Sequence, residues 1–352
     1  MNQDAKVEVK DPKVSVVMTT YNYGRFLGEA IQSVLDQTFQ DWELIVVDDG
    51  STDETSEVVA SFPDPRIRYI YQQNQGNAAG WNRGIELARG TYIAFLDADD
   101  LWLPMKLEKQ VAQLDSLPPT VGLVYADLHF FNHEDGAITG RLLAGRSPPR
   151  GKVFSQLVRR DWGERGWFII PTIALIRSEV FQKVGLFDES LRRHQDWEMW
   201  VRVAAAYEVD VLNEPLARYR HHAGNVSKDP LLTYHHGVAS RLKVLESYSL
   251  EPGDRRALLR SLAGLHYGYA SIQFHMGNRK EGLQALLTSL RLHPTAFWHY
   301  PGAVLMLASP RLYEWLRAGK LRLTQHKGPH SDVMVGKNVT SWLGSERQDP
   351  RT

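Results

Sequence analysis

Residues 95–100 read FLDADD: the apolar end of a strand, Phe95 and Leu96, runs straight into Asp97, Ala98, Asp99 and Asp100. Three carboxylates in four residues repel one another unless a cation neutralises them. A hard divalent ion, Mg²⁺ or Mn²⁺, suits this pattern because it takes oxygen ligands and fills its shell with substrate phosphates. Alternate residues of a strand share a face, so Asp97 and Asp99 point the same way with Ala98 behind them. A second reading is a turn that caps the helix expected over about 105–117, where Pro104 is well placed for a first turn.

Upstream, the same pattern recurs. Residues 14–18, VSVVM, form a β-branched run typical of a strand buried on both faces. It is broken by Thr19, Thr20, Tyr21, Asn22 and Gly24. Leu27, Ala30, Ile31, Val34 and Leu35 then fall at helical spacing, predicting a helix over about 25–37. Residues 43–47, ELIVV, predict a second buried strand that ends in Asp48 and Asp49, and Asp53 opens a short helix to about 61. Further strands are predicted at 67–71, 91–97 and 121–127. Strands alternating with helices imply an α/β chain with an open, mostly parallel, Rossmann-like sheet that binds ligands beyond the carboxyl ends of its strands. The stretch 74–84, NQGNAAGWNRG, reads as a small-residue loop that lets a ligand approach the backbone before a helix to about 89, or as a plain connection. Its spacing matches neither a dinucleotide fingerprint nor a Walker loop.

Composition excludes several classes. Lys plus Arg equals Asp plus Glu at 41 each, so no net field draws the chain to nucleic acid or to an anionic membrane. There is no cysteine among the 352 residues, which removes thiolate catalysis, disulfides and zinc–cysteine sites. The polar start, MNQDAKVEVKDPK, is no signal peptide, and no apolar run approaches the ~20 residues of a membrane span. A cytoplasmic location is expected on these grounds.

The segments VSVVMTTYN, ELIVVDDGSTD, NQGNAAGWNRGIELARGTYIAFLDADD and HQDWEMWVR occur in order within residues 13–227. Together they resemble the family 2 inverting glycosyltransferases of the GT-A fold. The resemblance implies a nucleotide-sugar half over 13–127 and an acceptor half over 128–229. It also implies roles for single residues. Thr19, Tyr21 and Asp49 would hold the uracil of a UDP-sugar donor, with Asn82 on the same side, and Asp97 would face the ribose or sugar. Asp99 would bind Mg²⁺ or Mn²⁺ on the diphosphate. In YRHHAGNVS, the match places the functional histidine at His222 near the metal, makes Arg220 a phosphate partner and leaves His221 as a solvated neighbour. Asp196 aligns with the catalytic base, although Gln195 stands where the family commonly has Glu, and a helix N-cap is the alternative for Asp196. The acceptor implied is a glycan or lipid-linked glycan of cell-surface polysaccharide synthesis. The competing functions are a sugar-phosphate nucleotidyltransferase, whose Gly-rich basic opening TTYNYG does not match, and an inactive scaffold, which would be expected to have lost these aspartates.

Outside the motifs, residues 141–165 are rich in Gly, Pro and Arg, and read either as a solvated loop or as a cationic lid for an anionic acceptor. The apolar run 167–176, WFIIPTIALI, is expected to line or underlie the acceptor side. From about 230 to 325 the periodicity is helical, and 262–294 resembles one degenerate tetratricopeptide unit, which cannot bury its own face alone. Residues 310–323, PRLYEWLRAGKLRL, have the mixture of an interfacial helix that could touch the inner face of the membrane, or of a surface helix packed on its own domain. Residues 1–12 form a polar N-terminal tail of mixed charge, and the tail 326–352 is polar and expected to be disordered.

Overall fold

The computed structural model describes residues 11–145, 147–159, 169–222, 229–294, 302, 305, 308 and 309. The stretch 310–323, the tail 326–352 and nearly all of the N-terminal tail lie outside the described residues, as do Arg146, Arg160 and Arg165 of the Arg-rich region. Two compact units are present. One is drawn from Met1–Val153, Phe168–Ser190 and Arg202–His222, the other from Phe154–Trp167, Leu191–Val201 and Ala223–Thr352.

In chain order the elements are β1 (Val14–Thr20), α1 (Gly24–Leu35), β2 (Trp42–Asp48), α2 (Thr55–Ala60), β3 (Ile67–Tyr71), α3 (Asn77–Leu87), β4 (Tyr92–Asp97), β5 (Leu101–Trp102), α4 (Lys106–Ser116), β6 (Val121–Asn132) and β7 (Ile138–Arg141). They continue with α5 (Phe154–Val158), β8 (Ala174–Arg177), α6 (Ser178–Val184), α7 (Gln195–Ala206), β9 (Glu208–His221), α8 (Pro230–Ser247), α9 (Pro252–His275) and α10 (Arg279–Leu292).

The first unit is built on one sheet of order β3-β2-β1-β4-β8-β6-β9-β5, with β7 on β6. From β3 to β4 every pairing is parallel, as the alternating pattern predicts. Beyond β4 the sheet is mixed: β8 runs antiparallel to both neighbours, while β6 and β9 run parallel to each other. The β1 residues Val14, Val16, Val17 and Met18 and the β2 residues Leu44 to Val47 are fully buried, which is why those runs lack polar alternation. Register between β1 and β4 pairs Thr19 with Asp97, so both strands deliver their polar residues at one sheet end.

The stretch 74–84 differs from a loop reading. Helix α3 starts at Asn77, and its glycines serve packing: a Cβ on Gly84 would fall 2.2 Å from Val17 Cγ1, and one on Gly80 2.8 Å from Thr19 Cγ2. Small residues here bring α3 down onto β1. Asn82, one turn along, is buried and fully engaged. Its Nδ2 donates to Phe187 O (2.9 Å) and Glu189 Oε1 (2.8 Å), and its Oδ1 accepts from Phe187 N (2.8 Å).

The second unit is helical. Trp197 donates from its indole to Leu157 O (3.2 Å) and carries the Arg241 guanidinium 4.2 Å from its ring. Tyr234 and Tyr269 stack at 4.0 Å, joining α8 to α9. Within α9 and α10, Ala270, Phe274, Ala285 and Leu286 form a small core. Gly282 lies against the Phe274 ring, and Gly277 turns the chain between the two helices. This hairpin occupies the stretch 262–294. Among the described residues, no helix is long and apolar enough to cross a membrane.

Candidate functional site

The polar ends of β1, β2, β4 and β9 carry the candidate residues. At the end of β2 the two aspartates divide the work of ordering loops. Asp48 accepts from Ser51 N (2.8 Å) and the Tyr69 hydroxyl (2.5 Å). Asp49 is 4% exposed and accepts from Gln72 Nε2 (2.7 Å), Gln75 N (2.9 Å) and Gly76 N (2.8 Å). A carboxylate offers about four lone-pair positions, so Asp49 retains capacity for one further N–H donor. Thr19 donates to the side-chain oxygen of Asn77, the first residue of α3. Tyr21 is 47% exposed, and the neighbouring Asn22 backbone is held by Ser51 Oγ (2.9 Å).

The acidic stretch after β4 is held at several points. Asp100 is 0% exposed and accepts from the Thr172 hydroxyl (2.7 Å) and from Arg220 N (3.1 Å). Burial, with Asp99 and Asp97 adding their charge, pushes its carboxyl well above the ordinary 3.8. Asp100 N also donates to Asp97 O (3.0 Å), closing the turn. Asp97 and Asp99 are both partly exposed; the Asp99 side chain is 18% exposed, and its Oδ2 lies 3.0 Å from His222 Nε2. The His222 ring is wedged against Phe26 and Tyr23, with centroids at 4.6 and 5.7 Å.

Arg220 is buried rather than open. Its Nε donates to Asp99 O (2.8 Å), Nη2 pairs with Glu29 (3.0 Å), Nη1 meets His133 Nδ1 (3.2 Å), and the guanidinium lies 5.1 Å from Phe26 and 4.8 Å from Phe131. The side chain thus ties the acidic turn to α1. His221, on the other face of the strand, stacks on Phe130 at 5.3 Å. Burial, followed by Asp100, Asp99 and Asp97, pushes the phenol of the adjacent Tyr219 well up, so that ring sits within the field of the carboxylates.

These contacts bring together Asp97, Asp99, Arg220 and His222 at one point, and Thr19 and Asp49 along the same strand ends. Asp99 and His222 suit a divalent ion. An acceptor oxygen and an imidazole nitrogen already face each other at bonding distance, and an ion would take the place of the proton between them. Among the described residues no three His, Cys, Asp or Glu converge to hold a metal ion; an ion at this pair would need its remaining ligands from substrate and water. Mn²⁺ accepts an imidazole ligand more readily than Mg²⁺.

In the helical unit, Asp196 lies in the first turn of α7, half-buried, with its Oδ1 accepting from Trp197 N (2.8 Å). Glu198 is buried and paired with Lys243 at 2.8 Å. Of the Arg-rich region, Arg141 pairs with Asp127 (2.6 Å), Arg150 with Asp210 (2.9 Å) and Arg159 with Asp254 (2.5 Å). Those three cations are anchored by carboxylates of the chain itself. Thr172, Glu29 and His133 had no signal in the sequence: each acts through a partner more than 70 positions away.

Residues 15–185 match the family model described as glycosyl transferase family 2. An uncharacterized glycosyltransferase of Nostoc sp., alr2836, is 34% identical over 224 residues, covering 60% of this chain and 66% of that relative. Glycosyltransferase GlyG of Streptococcus pneumoniae is 30% identical over 227 residues, covering 61% and 73% respectively. Among solved structures, S. aureus TarS 1–349 in complex with UDP superposes with a TM-score of 0.63 at 18% identity, over 87% of this chain and 92% of that one. The mannosyltransferase PcManGT from Pyrobaculum calidifontis, in complex with GDP-Man and Mn²⁺, gives 0.59 at 18% identity, over 97% and 89%. Both structural likenesses concern the fold.

Proposed function

Because the chain belongs to glycosyl transferase family 2 and has the GT-A type fold, we propose that it transfers a sugar from a nucleoside-diphosphate donor, UDP-linked in the first instance, to a hydroxyl of a glycan or lipid-linked glycan, with inversion. The observation that carries this reading is the Asp99–His222 pair, 3.0 Å apart at the ligand-facing ends of the strands. Asp49 would accept the imide N–H of uracil with its remaining lone pair, and Thr19 and exposed Tyr21 would border the base. Asp97 would face the ribose or sugar. Asp99 and His222 would hold Mg²⁺ or Mn²⁺, which when bound supplies charge neutralisation for the departing diphosphate. Arg220 would act by holding Asp99 and His222 in register, and Asn82 by anchoring the segment at Phe187 against α3.

Asp196 would take the proton from the acceptor hydroxyl as its oxygen attacks the anomeric carbon from the face opposite the leaving group. It lies in the first turn of α7, the end of a helix at which the dipole favours negative charge. Polysaccharide synthesis at the cytoplasmic side of a membrane, with 310–323 as the contact, completes the reading.

The test is a panel of UDP-, GDP- and dTDP-sugars incubated with the protein, Mn²⁺ and a glycan acceptor, with released nucleoside diphosphate and the anomeric configuration of the new linkage as readouts. One donor should be consumed, with the product sugar carrying the opposite anomeric configuration. Retained configuration would overturn the role of Asp196. Conversion of the donor to a nucleoside triphosphate and sugar 1-phosphate, seen only when pyrophosphate is added, would point to a nucleotidyltransferase instead.

A further inference from the structure

Thr172 belongs to an apolar run, Ile169–Ile176 in the sequence, and lies in the single turn Pro171–Ile173 just before β8. It is fully buried, yet its hydroxyl is placed between two ends of the acidic turn. The hydroxyl donates to Asp100 Oδ2 (2.7 Å) and accepts from Asp97 N (3.4 Å). Its carbonyl accepts from Trp102 Nε1 (2.9 Å), the residue that follows the acidic turn by two positions. One residue thus holds the turn before, within and after its carboxylates. From the other side Arg220 donates its N–H to Asp100 Oδ1 (3.1 Å) and its Nε to Asp99 O (2.8 Å). His222 follows Arg220 by two residues.

We propose that Thr172 and Asp100 form a positioning pair that sets the direction of the Asp99 carboxylate toward His222, and thereby the affinity for the divalent ion. The inference rests on the reading of Asp99 and His222 as metal ligands. The physics is that of a buried carboxylate with two donors. A carboxylate with no exposure beside two further carboxylates has nowhere to relax, so losing one donor leaves an oxygen that must find another partner. The turn that Asp100 closes, through its N–H to Asp97 O, also carries Asp99, so a shift of Asp100 is passed to it. Thr172 and Asp100 would act through Asp99 and would not themselves be ligands. Outer partners of this kind typically tune metal affinity by about 10- to 100-fold.

Three variants separate positioning from packing. Thr172→Val keeps the shape and deletes the hydroxyl, Thr172→Ser keeps the hydroxyl and deletes the methyl, and Asp100→Asn keeps the shape while exchanging one acceptor oxygen for a donor. Mn²⁺ binding is followed by the paramagnetic resonance signal of the free ion, in the presence of UDP and separately of GDP. Metal-free nucleotide binding and thermal unfolding are measured in parallel. Thr172→Val should weaken Mn²⁺ binding by on the order of tenfold or more, leave metal-free nucleotide affinity in place, and be rescued by Thr172→Ser. Asp100→Asn should weaken it as well, which keeps the test available if Thr172→Val does not fold. Wild-type Mn²⁺ affinity in either Thr172→Val or Asp100→Asn would overturn the proposal. So would Thr172→Ser failing as badly as Thr172→Val, because the methyl and not the hydroxyl would then matter. If the wild type itself shows no Mn²⁺ response with either nucleotide, the parent reading of Asp99 and His222 fails, and this inference falls with it.

Discussion

Asp99 Oδ2 lies 3.0 Å from His222 Nε2, although 123 positions separate the two residues in the chain. Two features of the fold create the pair. Strand β9 returns to the sheet end that carries the acidic turn, and Arg220 bonds both the backbone of Asp99 and, through its own amide, Asp100. Phe26 and Tyr23 then hold the imidazole in place. His222→Ala should therefore weaken Mn²⁺ binding by on the order of tenfold and leave metal-free nucleotide binding unchanged. Equal loss of both would mean that the histidine supports the fold of the site and does not ligate.

Asp49 accepts three donors from the segment between β3 and α3. Asp49→Ala removes the acceptor of two part-buried backbone N–H groups, an expected cost of about 1 kcal/mol for each hydrogen bond lost. Urea unfolding should show that loss, and metal-free nucleotide binding should fall with it. Stability reduced with base binding intact would confine Asp49 to the loop.

For Asp196 the expectation is a separation of binding from turnover. Asp196→Asn keeps the contact to Trp197 N and the helix start, so the fold should persist. The transfer rate should fall by about 10²- to 10⁴-fold while donor binding, by titration, stays at the wild-type level. A rate within a few-fold of wild type would remove Asp196 from the role of base.

Three histidines of the helical unit give a pH signature. Burial pulls His194, His236 and His266 below the ordinary 6.5, with Arg241 adding to the effect at His194 and His235 at His236. The fold therefore favours the neutral imidazole. That contribution is complete above pH 6.5 and is lost as the pH falls below it, because the unfolded chain then binds more protons than the folded one. Hydrogen exchange of α8 and α9, corrected for intrinsic rate, should show protection falling between about pH 7.5 and about pH 5.5, and His194→Gln should flatten the change. Protection independent of pH would contradict it.

Local signals made the parallel half of the sheet legible. β-branched runs marked β1 and β2, helical spacing marked α1, and Pro104 marked the start of α4. The polar strand ends were legible for the same reason: Asp49, Asp97 and Asp99 interrupt apolar runs. What stayed hidden depends on distant partners. Arg220 reads as a cation free to meet phosphate, but a long-range carboxylate and two aromatic rings bury it. The glycines of α3 read as a ligand cradle, whereas Val17 and Thr19, some 60 positions upstream, decide their use. In the Arg-rich region, Arg141, Arg150 and Arg159 looked like a run of loose charge because Asp127, Asp210 and Asp254 lie far from them in sequence.

The most direct measurement of the central claim is calorimetric titration of UDP, GDP and dTDP into the wild type and Asp99→Ala, each with and without Mn²⁺. One nucleotide should bind the wild type more tightly with Mn²⁺, and Asp99→Ala should lose that increment while keeping the metal-free affinity. Binding of none of the three to the wild type, or a Mn²⁺ increment that survives Asp99→Ala, would contradict the assignment of this site.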